Sequence, residues 1–166
     1  MKDNDKELLP RVDENGQVIG QVTRGEAHGG SKILHPVVHL HVFNSKGEIY
    51  LQYRPEWKTV QPCKWDTACG GHVSYGEGID IALKREVEEE LGITEYTPLF
   101  VGEYIFESAI DREYVHVFKT IYDGEVKPDK QELAGGRFFS MEELAEAIGN
   151  ESVTPNFVLE FNKYFA

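Results

Sequence analysis

Three glutamates, Glu86, Glu89 and Glu90, stand at spacing i, i+3 and i+4 in the run REVEEEL, so on a helix their carboxylates share one face. Like charges at that spacing repel by roughly 0.2–0.5 kcal/mol per pair even in water. Arg85 precedes Glu89 by one turn, the less favourable order for an ion pair, and relieves only part of the conflict. A hard divalent cation removes it, because Mg²⁺ takes carboxylate oxygens, waters and substrate phosphate as ligands. The run alone leaves a solvated acidic helix face open as the alternative.

The elements around these carboxylates are readable from periodicity. Ile79, Leu83, Val87 and Leu91 recur every fourth residue, which predicts a helix over Ile79–Leu91 with Gly92 as its C-terminal cap. The glycine-rich stretch ACGGHVSYGEG before it cannot be helical throughout. Upstream, Asn15-Gly16 between two short apolar stretches predicts a hairpin, and HPVVHLHVF and IYLQY around Lys46-Gly47 predict two paired strands. Downstream, PLFVGEYIF, EYVHVFKTIY and GRFFS predict strands, with Asp123-Gly124 as a turn between the last two. Ser140 with Glu143 forms a capping box for one closing helix, and Thr154 followed by Pro155 starts another.

Composition bounds the function. A chain of 166 residues with 40% apolar content can bury one core and predicts a single domain over 1–166, of mixed α/β class. Seventeen basic against 29 acidic residues give a net charge of −12, which disfavours duplex nucleic acid as a partner. No apolar run has the roughly 18 residues of a membrane span, and the start MKDNDKELLP is too charged for a secretory signal, so no membrane association and a cytoplasmic setting are expected. Two cysteines, Cys63 and Cys69, exclude a disulfide scaffold or a zinc ribbon.

The segment Gly71–Ile93, GHVSYGEGIDIALKREVEEELGI, resembles the Nudix box of the Nudix hydrolases over its whole length: Gly71, Glu77, Arg85, Glu86, Val87, Glu89, Glu90, Gly92 and Ile93 fill the required positions. The resemblance implies a Nudix fold, a mixed curved central sheet sandwiched between helices with an N-terminal hairpin at its edge. It implies Mg²⁺ (or Mn²⁺) held by Glu86, Glu89 and Glu90 with the backbone carbonyl of Gly71, and Glu77 orienting Arg85. The implied reaction is hydrolysis of a small-molecule diphosphate, such as a nucleoside diphosphate derivative. The general base varies in this family between a box glutamate and a later loop residue, and Glu132 is the loop candidate. A homodimer is compatible with the resemblance.

Outside the box, roughly Val12 to Phe118 resembles the branch that includes type I isopentenyl-diphosphate isomerase. That likeness implies a second divalent site, Zn²⁺ or Mn²⁺, on His28, His35, His72, Asp111 and Glu113, and diphosphate contacts from Arg54 and Lys58. His39, His41 and His116 match no motif and read as sheet or surface residues. The isomerase thiol position, just before the Gly-His pair, is Gly70 here, and Cys69 lies one residue earlier, where a strand points its side chain to the other face. Isomerases also lack the full glutamate series. Hydrolysis is therefore the expectation; an isomerase-like enzyme and a non-catalytic nucleotide-binding regulatory module are the alternatives.

Overall fold

The computed structural model describes residues 5–58, 61–129 and 135–166. The chain opens on the expected hairpin, β1 (Leu8–Val12) antiparallel to β2 (Val18–Thr23). Gly16 takes φ +82° in its turn, a conformation other residues rarely adopt, and the Asp13 carboxylate accepts from the Asn15 and Gln17 amides. This hairpin is a two-stranded sheet of its own, tied to the main body where the Val12 amide donates to the Leu34 carbonyl at 3.0 Å. A single turn of helix, α1 (Arg24–Ala27), follows it, closed by a capping box between Thr23 and Glu26.

The main sheet is built on β3 (His35–Phe43), which is buried along most of its length. It runs parallel to β8 (Arg112–Ile121) on one side. On the other side it pairs with β6 (Cys69–His72) over Val37–Leu40 and with β4 (Ile49–Tyr53) only at Val42 and Phe43. β5 (Trp65–Thr67) and β9 (Gly136–Phe139) pair with β4, and β7 (Leu99–Glu107) pairs with β8.

Two structural outcomes differ from local expectation. The predicted pairing of the β3 and β4 segments covers only the residues beside their turn, because β6 takes the rest of that edge of β3. Asp123-Gly124 does not join β8 to a neighbouring strand: β8 already has β3 and β7 on its two edges, so β9 crosses to β4. The Asp123 carboxylate instead accepts from the Ser45 amide at 2.8 Å and its hydroxyl at 2.9 Å.

Strand alternation divides the core. Val38, Leu40 and Val42 face α2 (Ile79–Leu91), whose Ala82, Leu83, Val87 and Leu91 complete that layer. Gly92 caps α2 at φ +66° as its position predicts. Ile49, Leu51 and Phe139 pack on the opposite face with α3 (Met141–Gly149) and α4 (Pro155–Tyr164). Both closing helices start at the predicted caps, Ser140 and Thr154. Phe157 of α4 is fully buried in that layer. Phe157→Ala is therefore expected to cost about 3–5 kcal/mol of unfolding free energy, measured by urea denaturation; a loss below about 1 kcal/mol would contradict this packing.

Candidate active site

The box helix α2 lies across β6, and the first consequence is steric. A Cβ on Gly71 would stand inside the Glu86 carboxylate, so the backbone there can be approached only because the residue is glycine. Arg85 holds the arrangement: its Nε and Nη2 both donate to Glu77 at 2.8 Å, Nη1 to Glu86 at 2.6 Å, and Nη2 to the His72 carbonyl at 3.2 Å. Glu77 also accepts from the Ser74 amide at 3.0 Å, which ties the glycine loop to the helix. One guanidinium thus joins loop, strand and helix.

The three helix carboxylates differ in exposure. Glu86 is buried, Glu90 is partly buried, and the Glu89 side chain keeps 40% of its surface, which makes Glu89 the one most open to an incoming molecule. Glu89 lies 3.8 Å from Arg85, a loose pair. Burial raises the Glu86 pKa above the ordinary carboxylate value against the opposing pull of Arg85. Burial raises Glu90 further, with the negative Glu86 adding to it. The Glu90 Oε1 is buried with no hydrogen-bond partner among the described residues. The Arg85 hydrogen bonds act oppositely on Glu77, holding it below the usual range.

On the other face of β6 the structure brings five of the expected residues together. His28 follows α1, His35 opens β3, His72 closes β6, and Asp111 and Glu113 stand at the start of β8. Nitrogen atoms of His28, His35 and His72 all lie within 4.8 Å of one another. His28 Nε2 is 2.7 Å from His72 Nε2, His28 Nδ1 is 2.8 Å from Asp111, and His35 Nε2 is 3.9 Å from Glu113. His35 Nδ1 donates to the Ile33 carbonyl, which turns Nε2 inward, and that buried Nε2 has no hydrogen-bond partner among the described residues. The Asp111 hydrogen bond raises the His28 pKa, whereas burial puts His72 well below the usual imidazole value. A neutral His72 offers a lone pair, the form that a metal takes.

The remaining candidates are placed differently. Arg54 donates to Asp66 at 3.4 Å and to the Gln61 carbonyl at 3.2 Å, and the Lys58 ammonium lies 4.7 Å from the Trp57 ring centre. Glu132 lies outside the described residues. Cys69 is fully buried on the α2 face, where burial and Glu90 push its thiol pKa well up, so it is no nucleophile.

The NUDIX domain model matches residues 33–158. The chain belongs to the Nudix family. Among curated Nudix relatives, it is 34% identical over 139 residues to an uncharacterised Nudix hydrolase of Pseudomonas aeruginosa, covering 84% of this chain and 82% of that protein. It is also 32% identical over 145 residues to a protein named isopentenyl-diphosphate Delta-isomerase of Streptomyces coelicolor, covering 84% of this chain and 74% of that one. A Deinococcus radiodurans structure covers 96% of this chain and all of its own with a TM-score of 0.82 at 22% identity, a likeness of fold. A MutT protein of Methanosarcina mazei aligns at a TM-score of 0.63 and 29% identity, over 77% of this chain and 89% of its own. As a Nudix pyrophosphohydrolase, this chain is an enzyme whose family hydrolyses pyrophosphate-containing substrates.

The Nudix site fits the divalent cation that the family uses. Its donors are hard oxygens, one of them an orphaned buried carboxylate oxygen, and the glycine at 71 leaves the backbone bare beside them. Burial favours the neutral forms of Glu86 and Glu90 whereas a cation takes the ionised ones, so cation binding is linked to proton release and affinity rises with pH. Calorimetry in buffers of different ionisation enthalpy is expected to show proton release on Mg²⁺ binding and a Kd that falls as pH is raised. A pH-independent Kd with no proton release would contradict this.

Proposed function

We propose that the chain is a Mg²⁺-dependent hydrolase of an organic diphosphate, such as a nucleoside diphosphate derivative, acting in the cytoplasm. The observation that carries this is the α2–β6 seam, where three carboxylates, an orphaned oxygen and a side-chain-free backbone converge under one arginine. Glu86, Glu89, Glu90 and the Gly71 carbonyl hold the cation. When bound, Mg²⁺ lowers the pKa of an attacking water and neutralises charge on the phosphate oxygens. Arg85 opposes the burial that favours the neutral form of Glu86 and holds its carboxylate in register, and Glu77 keeps Arg85 aimed. Glu89, the most exposed of the three, takes the proton of the attacking water; Glu132 is the loop alternative for that role. Arg54 and Lys58 supply positive charge for the diphosphate in a protein whose net charge is −12.

The same reading gives His28, His35, His72, Asp111 and Glu113 a second divalent cation, Zn²⁺ or Mn²⁺, supported by the convergence of three imidazoles and the orphaned His35 Nε2. The isomerase alternative has the named relatives in its favour. Against it, the only thiol in β6 faces α2, away from the histidines, and the position that the isomerases give to cysteine is Gly70. A regulatory binder is disfavoured by the intact carboxylate set.

Phosphorus NMR of the protein with Mg²⁺ and a panel of nucleoside diphosphates, nucleotide sugars and isopentenyl diphosphate tests the reading. New phosphate resonances are expected, slowed by about 10²–10⁴-fold in Glu89→Gln with the fold retained. Full activity in that variant contradicts the assignment of Glu89. Conversion of isopentenyl diphosphate to its isomer, with no hydrolysis, contradicts the hydrolase.

A further inference from the structure

We propose that His39 is a catalytic residue of this enzyme, its Nε2–H donating the proton to the oxygen that leaves phosphorus; this rests on the hydrolase reading above. His39 lies in the middle of β3, directly opposite Gly70 of β6. Its Nδ1 donates to Glu160 Oε1 at 2.8 Å. Glu160 reaches it from α4, with only 1% of its surface exposed, and accepts also from His41 Nε2 and, at 2.7 Å, from the Tyr104 hydroxyl of β7. Three donors from two strands converge on one buried carboxylate, so the His39 ring is held from behind and its tautomer is set.

With Nδ1 committed to Glu160, Nε2 is left pointing the other way, and it makes no hydrogen bond among the described residues. A Cβ on Gly70 would stand 3.5 Å from Nε2 and 3.3 Å from Cδ2, so the ring edge lies close against Gly70 and glycine there leaves that edge without a covering side chain. The His39 side chain keeps 22% of its surface, unlike the fully buried His41 beside it. Strand alternation puts His39 on the face that carries His35 and His72, while the Gly70 amide is turned to Glu90. Gly70 therefore has the imidazole on one side and a helix carboxylate on the other. β6 has β3 as its one strand partner among the described residues, so a phosphate chain held by the α2 carboxylates can pass its free edge to reach Nε2.

The step balances without a co-reactant. Water oxygen bonds to phosphorus as the bridging P–O bond breaks; the water proton goes to Glu89, the Nε2 proton goes to the leaving oxygen, and solvent restores both. The charged and titratable groups around the ring are Glu160 of α4, Tyr104 of β7, Glu113 of β8, Asp66 of β5 and His41 of β3. Burial opposes a positive ring, but the charge and hydrogen bond of Glu160 outweigh it and push His39 up to about 9. The donor is thus loaded at neutral pH, and the rate is lost as pH rises through that value.

The test is the pH dependence of kcat in wild type, His39→Gln and Glu160→Gln, with the slowed Glu89→Gln as the reference. His39→Gln is expected to lose about 100-fold in kcat with little change in KM, and to lose the alkaline limb. Glu160→Gln is expected to move that limb down towards the ordinary imidazole value of 6.5, which a merely weakened core does not do. Should Glu160→Gln fail to fold, nitrogen NMR of the wild-type histidines reads the same feature. The His39 Nε2 resonance is expected to move when methylene diphosphonate is added with Mg²⁺, and an unmoved resonance overturns the proposal. Wild-type kcat and alkaline limb in His39→Gln, beside a slowed Glu89→Gln, overturn the role of His39 alone. A wild-type protein that hydrolyses no diphosphate overturns the hydrolase reading and this proposal together.

Discussion

Two carboxylates, Glu86 and Glu90, are pressed into the seam between α2 and β6, and the centre of the molecule is arranged around that conflict. Burial drives both towards their neutral forms, and the negative Glu86 makes Glu90 harder still to ionise. Arg85 divides its guanidinium among Glu77, Glu86 and the strand backbone. That leaves Glu90 with an oxygen unanswered. A fold that needed only stability would fill this seam with apolar side chains, as α2 does one turn away with Leu83 and Val87. That oxygen, unpartnered among the described residues, supports the proposed cation site, and Gly71 is the steric condition for it.

β6 turns one short strand into a partition. Cys69 and Gly71 face the helix, whereas Gly70 and His72 face the histidine cluster and α4. A one-residue offset therefore separates a buried, inert thiol from the position at which a thiol would meet the other face. The same alternation in β3 sends Val38 and Leu40 into one core layer and lines up His35, Val37 and His39 along the other. The two candidate sites are close because they share a strand, and they are distinct because its side chains alternate.

The helix Ile79–Leu91, both closing helices and the first hairpin were legible because their signals are local: a fourfold apolar repeat, a cap, a turn dipeptide. Strand neighbours were not. Alternation tells which face a residue takes and is silent on which strand lies beside it, so the extended contact of β3 with β6 and β8 had no signature, and Asp123-Gly124 marked a turn without telling that β9 goes on to pair with β4. The grouping of His28, His35, His72, Asp111 and Glu113 came from likeness to a family; lone histidines so far apart in the chain carry no spacing signal of their own. Glu160 was missed, although Phe157, Glu160 and Tyr164 fall on one side of α4 and a charge among aromatic core positions was the available clue. Its partner His39 lies 121 residues away, beyond any local pattern.

The central claim is that the α2 carboxylates hold a divalent cation at the β6 backbone. The most direct measurement is anomalous X-ray diffraction from crystals grown with Mn²⁺ in place of Mg²⁺. A strong anomalous peak within coordination distance of Glu86, Glu90 and the Gly71 carbonyl is the predicted result. Crystals saturated with Mn²⁺ that show no peak at that seam, with the three glutamates turned to solvent, would contradict it.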